Sequence, residues 1–71
     1  MVKMIKCNSS SVNEIGYNSR TREAFINLHD GSRYVYKQVP AGDYYKLLTS
    51  KSTGKEYNNL KHRNYDYLKT N

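Results

Sequence analysis

A single proline, Pro40, sits inside the stretch His29 to Leu48, HDGSRYVYKQVPAGDYYKLL, and no other stretch constrains the fold so tightly. Asp30-Gly31 is a turn pair, because Gly accepts positive φ cheaply and Asp can bond its own backbone. Arg33 to Val39 then carries the β-branched and aromatic residues that suit a pleated, half-buried surface. Pro40 ends that strand, since it donates no ladder hydrogen bond, and its fixed φ suits the first position of a helix. Beyond it Ala41, Tyr44, Leu47 and Leu48 recur at spacings of three and four, on one helical face. A hairpin therefore runs directly into an amphipathic helix.

The apolar pattern selects the hairpin register. A two-residue loop of Asp30 and Gly31 would set Leu28 against Arg33 and mix polar with apolar residues on both faces. A three-residue loop, Asp30 to Ser32, pairs Leu28 with Tyr34 and Ile26 with Tyr36. Ala24, Ile26, Leu28, Tyr34 and Tyr36 then share one face, and a one-residue slip would undo this. In that register Phe25 lies opposite Lys37.

Upstream, Asn8 to Ser11 is loop chemistry leading to a strand with Val12, Ile15 and Tyr17, and Gly16 within it marks a bulge or the close approach of another backbone. Asn18 to Thr21 is a connection of hairpin length before a strand from Arg22 to Leu28. Met1 to Cys7 reads as an edge strand or an arm. After the first helix, Thr53-x-x-Glu56 matches a capping box and opens a short second helix, about Gly54 to Arg63, with Tyr57 and Leu60 as its apolar stripe. Tyr65, Tyr67 and Leu68 either fold back on the domain or trail off; Tyr65 and Tyr67 stand at strand spacing. The expected fold is α+β: a three-stranded antiparallel β-meander followed by one or two C-terminal helices packed on one sheet face. Residues 1–71 read as a single domain, with 1–9 an arm or edge strand and 10–67 the core.

The ordered series Ser10-Ser11-Val12, Ile15-Gly16-Tyr17, Gly31, Tyr34-x-Tyr36, Val39-Pro40, Ser52-x-Gly54 and Tyr57-Asn58 resembles the KTSC domain over roughly residues 10 to 67. That family takes its name from a segment at the C-terminus of some lysyl-tRNA synthetases, and it also occurs as a single-domain protein in bacteria and phages. The resemblance implies a small domain for which RNA binding has been proposed. Two positions depart from the family pattern. Lys51 stands where a small apolar residue is usual, and the spacing from Asn58 to Leu60 is one residue short.

A chain of 71 residues buries only about 60% of its extended surface on folding, which leaves room for one sheet face and one or two helices. The net charge is +6, and the segment from Tyr44 onward contributes four of these charges. Such a field attracts polyanions without saying which. Cys7 is the only cysteine, so no internal disulfide forms and a reducing compartment is expected. Met1 to Ile5, interrupted by Lys3, is too short for a signal sequence, and no run reaches membrane-spanning length. The expected location is cytoplasmic, in the host cytoplasm if the protein is phage-encoded.

Catalysis has no visible apparatus. Cys7 lacks a base partner, His29 and His62 show no metal-ligand spacing with Cys7 or Asp30, and Ser52-Thr53-Gly54-Lys55 lacks the spacing of a nucleotide-binding loop. The expectation is a non-enzymatic binding module with no cofactor and no metal, acting on RNA or single-stranded DNA. The alternative is a protein-binding module, such as a phage-encoded inhibitor or accessory of a nucleic-acid-handling complex.

Candidate contacts fall in two groups. On the sheet face away from the helices, Phe25, Arg33 and Lys37 would combine an aromatic ring for stacking with cations for phosphate; Phe25 could equally pack under the N-terminal segment. On the second helix, Lys51 and Lys55 flank an N-terminus whose amides and dipole favour phosphate, and Lys61 and Arg63 extend the basic patch. Tyr34 and Tyr36 read as core rather than as a stacking platform, because a chain with one Phe and no Trp must build its interior from tyrosine.

Overall fold

The computed structural model describes residues 2–71, and its architecture follows the alternation of apolar residues along three long strands. In chain order the elements are β1 (Ile5–Lys6), β2 (Val12–Asn18), β3 (Glu23–Leu28), β4 (Arg33–Tyr36), α1 (Ala41–Thr49), α2 (Thr53–Lys61) and β5 (Tyr67–Lys69). The strands form one antiparallel sheet in the order β1-β2-β3-β4-β5. The expected meander is thus the centre of a larger sheet. Its two outer strands, β1 and β5, are short, two and three residues.

The β3–β4 hairpin has a three-residue loop, but one position earlier than the sequence pattern indicates. Leu28 N–H donates to the Ser32 carbonyl at 2.9 Å, and Gly31 N–H donates to the Leu28 carbonyl at 3.1 Å. The loop is therefore His29-Asp30-Gly31. Gly31 takes φ of 93°, the left-handed position that three-residue hairpins require. The Asp30 carboxylate accepts from Ser32 N–H at 2.8 Å and closes the turn. Ile26 accordingly faces Tyr34, Ala24 faces Tyr36, and Phe25 faces Val35 rather than Lys37. Because the pairing shifts by two residues, every side chain keeps its expected face.

That inner face carries the core. Val12, Ile15, Ala24, Ile26 and Tyr36 lie buried beneath Val39, Leu47, Tyr57 and Leu60. Pro40 is the residue before the first helical turn, at φ −61° and ψ 146°, rather than its first member. The α1 stripe is narrower than the spacing implied. Leu47 is buried, Tyr44 stacks on Tyr17 with ring centroids 4.9 Å apart, and Leu48 stays 40% exposed. The Tyr17 hydroxyl also donates to the Val39 carbonyl at 2.6 Å, so β2 holds both the entry to α1 and its first turn.

In α2, Tyr57 and Leu60 are buried as the stripe requires, but no capping box forms. Ser52 precedes the helix and makes no side-chain cap bond, while Thr53 is already helical and Glu56 reaches toward Arg63 at 4.0 Å. The start of β3 moves to Glu23 because Arg22 takes a left-handed φ of 61°, with its carbonyl accepting Val39 N–H at 2.9 Å.

On the outer face, the N-terminal arm crosses Gly16. A Cβ there would meet Met4 Sδ at 2.5 Å, Val2 Cγ1 at 2.7 Å and the Lys3 carbonyl oxygen at 3.2 Å. Gly16 is needed because another segment of backbone lies on it.

A tyrosine-lined groove as candidate nucleic-acid interface

The two groups of candidate residues meet different surroundings. On the outer face Phe25 is half-buried between Gly16 and Val35, its neighbours across the sheet. Arg33 and Lys37 are exposed. Extending the register by one residue sets Lys37 opposite Glu23, and its N–H donates to the Asp66 carbonyl at 2.7 Å. Phe25 therefore faces Val35, with Arg33 and Lys37 one pair to either side of it on the same sheet face. Arg63 is committed elsewhere, 3.3 Å from the Asp43 carboxylate, so it braces α1 against the end of α2.

Lys51 and Lys55 line a polar hollow of about 350 Å³ where the Ser9-Ser10-Ser11 segment lies against the start of α2. Gly54 permits that approach, since a Cβ on it would lie 2.7 Å from Ser11 Oγ. Both lysines thus stand at one end of α2. Lys61 stands at the other, about 9 Å from Lys55 by helical rise.

Around Lys61 the chain builds a more specific site. β5 adds Tyr67 beside Tyr36 in register, and the segment after α2 supplies Asn64 and Tyr65. With Tyr34, Tyr36, Tyr57 and Leu28 they line an open groove of about 370 Å³. The rings are mutually oriented: Tyr34 meets Tyr67 edge-on at 5.8 Å, Tyr36 meets Tyr57 edge-on at 5.9 Å, and Tyr36 lies 5.4 Å from Tyr67 at a 30° tilt. Lys61 Nζ sits over the Tyr57 ring, 5.1 Å from its centroid. Among the described residues no carboxylate pairs with Lys61.

The floor and the rim of the groove differ electrostatically. Tyr36 and Tyr57 share a hydrogen bond of 2.9 Å between their hydroxyls, and burial raises both phenols, Tyr57 well above the usual tyrosine range. At the rim, Tyr65 donates to the Asp43 carboxylate. Burial first and that carboxylate second push its phenol up to about 12. The pair Tyr34 and Tyr36 therefore divides. Tyr36 is core at 4% exposure, as the composition implied, whereas Tyr34 is half-buried and forms groove wall.

The sequence matches the KTSC domain family over residues 8–68, which takes in β2 to β4, both helices and the groove. This chain belongs to the KTSC domain family. The crystal structure of a KTSC domain protein from Yersinia pestis superposes with a TM-score of 0.90 at 21% identity, over 100% of each chain. No curated protein matches the sequence.

Within this KTSC domain, the strand spacing of Tyr65 and Tyr67 was the sequence signal for the groove, and it did not decide whether they join the sheet. Only the placement of β5 beside β4 shows that Tyr67 joins Tyr34 and Tyr36 on one face. Among the described residues no cluster of three or more His, Cys, Asp or Glu is placed to hold a metal, and no helix is long and apolar enough to cross a membrane.

Proposed function

We propose that this KTSC domain is a small binding module for RNA or single-stranded DNA and that the tyrosine groove is its contact surface. The observation that carries this reading is the convergence of tyrosine rings with the free ammonium of Lys61 in one groove of about 370 Å³. Single strands are bound by this combination, because every base has a face to stack on an aromatic ring while the backbone needs a cation. One stack contributes about 1–3 kcal/mol. Lys51 and Lys55, at the far end of α2 and exposed, supply further positive potential for a strand leaving the groove. The exposed sheet face around Arg33 and Lys37 is secondary in this reading, because the aromatic ring between them, Phe25, is half-buried.

The test is fluorescence anisotropy of the full chain with labelled mixed-sequence RNA and DNA oligonucleotides across a salt series. The expected result is affinity that falls linearly on a log-log salt plot, with a slope set by the number of phosphates neutralised. Tyr34→Ala should weaken binding at all salt concentrations. Absence of binding at low salt would overturn the reading and leave a protein as the partner to be sought.

A further inference from the structure

We infer that the tyrosine groove accepts one nucleotide at a time, with the base directed inward and its phosphate at the rim, so that a free mononucleotide is a competent ligand. This rests on the reading that the groove is the nucleic-acid contact surface.

The argument begins at the floor. Tyr36 and Tyr57 are 4% and 5% exposed, and both line the groove. Each phenol carries one proton and can accept as well as donate. The single contact between them, at 2.9 Å, uses one of the two protons. The second O–H finds its acceptor in whatever fills the open groove, and an occupant that displaces water there without offering an acceptor loses affinity. An occupant is therefore favoured if its inner end presents an acceptor in the plane of a ring. Nucleobases do so through their carbonyl oxygens or ring nitrogens.

The walls match such an occupant. Tyr67 is 58% exposed and is braced by Tyr34 edge-on at 5.8 Å and by Tyr36 at 5.4 Å, so its ring is held in place for a base to stack on its free face. Lys61, over Tyr57 on the α2 side, is placed for the charge that a nucleotide carries on its sugar. The volume sets the number of residues bound. At about 370 Å³, the groove lies at the small end of the roughly 300–1,000 Å³ range of ligand pockets. It suits one base with its sugar and does not suit a stacked run.

The experiment is titration of the full chain, followed by amide NMR shifts, with uridine and adenosine 5′-monophosphates, ribose 5-phosphate, phenyl phosphate and inorganic phosphate. The same ligands are used to displace a labelled oligonucleotide. The expected result is one mononucleotide per chain, with shifts centred on Tyr34, Lys61 and Tyr67, and displacement of the oligonucleotide. Ribose 5-phosphate, which lacks the base, should bind at least about tenfold more weakly. Phenyl phosphate, which keeps a ring but has no ring acceptor, should fall between them, about fivefold weaker than the nucleotide. If the oligonucleotide binds but mononucleotides neither displace it nor bind more tightly than inorganic phosphate, the one-nucleotide pocket is wrong while single-strand binding stands. The pocket is equally wrong if nucleotide shifts map around Phe25 and Arg33. If neither oligonucleotide nor nucleotide binds, both readings fall.

Discussion

The Tyr17 hydroxyl donates to the Val39 carbonyl at 2.6 Å, and the same ring stacks on Tyr44 at 4.9 Å. One side chain of β2 thus fixes the backbone just before Pro40 and the helix just after it. Tyr17→Phe keeps the stack and removes the donor, leaving a carbonyl beside the core unsatisfied. The expected loss is about 1 kcal/mol of unfolding free energy, read as a lower urea midpoint at unchanged m-value. Tyr17→Ala removes the stack as well and should cost several times as much.

Gly16 makes a different kind of prediction, because its cause lies in another segment. A methyl group at this position would collide with Met4, Val2 and the Lys3 carbonyl of the crossing arm. Gly16→Ala should therefore destabilise the full chain by about 1–3 kcal/mol through overpacking. In a chain lacking residues 1–4 the collision is gone, and Ala is the better strand residue by about 0.5–1 kcal/mol. The sign of the substitution should reverse between the two backgrounds in denaturant unfolding. An equal cost in both would show that the arm does not rest on Gly16.

The raised tyrosines predict a loss of stability at alkaline pH. Burial raises the phenols of Tyr36, Tyr44 and Tyr57, and burial with the Asp43 carboxylate raises Tyr65 to about 12. A raised phenol means that the folded state holds its proton where the unfolded chain has released it. The stabilisation is complete below the unfolded tyrosine pKa of about 10 and is lost as pH climbs through the folded values. For Tyr65 that window is between about 10 and 12. Urea midpoints should fall across it, and Tyr65→Phe should flatten part of the decline. A midpoint that does not change with pH there would contradict the assignment.

How much of this was legible in the residues themselves is clearest in the β3–β4 hairpin. Apolar alternation assigned Ala24, Ile26, Leu28, Tyr34 and Tyr36 to the helix side, and they lie there. It could not choose between loops differing by two in pairing, since both preserve that alternation; the choice was made by Gly31 taking the left-handed position. β5 was harder to see because its three side chains are all exposed. Its evidence is in backbone bonds at its flanks, from Lys37 N–H to the Asp66 carbonyl at 2.7 Å and from Thr70 N–H to the Arg33 carbonyl at 2.8 Å. Such bonds leave no hydrophobic signature. The candidate site shared that fate, since the groove exists only where β5 brings Tyr67 beside the residues of the YxY motif. The basic residues were visible as a patch, but their division into a paired Arg63 and an unpaired Lys61 depends on where α1 presents Asp43.

That division separates two cations only two residues apart. Lys61 stands over the groove without a carboxylate partner among the described residues, whereas Arg63 lies 3.3 Å from Asp43 and shares that carboxylate with Tyr65. Lys61→Ala should lower stability by no more than about 0.5 kcal/mol, since it is a surface change whose one contact is an exposed cation–π pair at the weak end of its range. Under the proposed function it should reduce the log-log salt slope of oligonucleotide binding by about 1. Arg63→Ala should do the reverse. It lowers stability by about 1 kcal/mol, because the ion pair is partly shielded and joins two helices, and it leaves the salt slope nearly unchanged. Measuring urea midpoints and anisotropy on both variants resolves the two roles. A slope reduced equally by both substitutions would mean that the strand lies along the end of α2 and not in the groove.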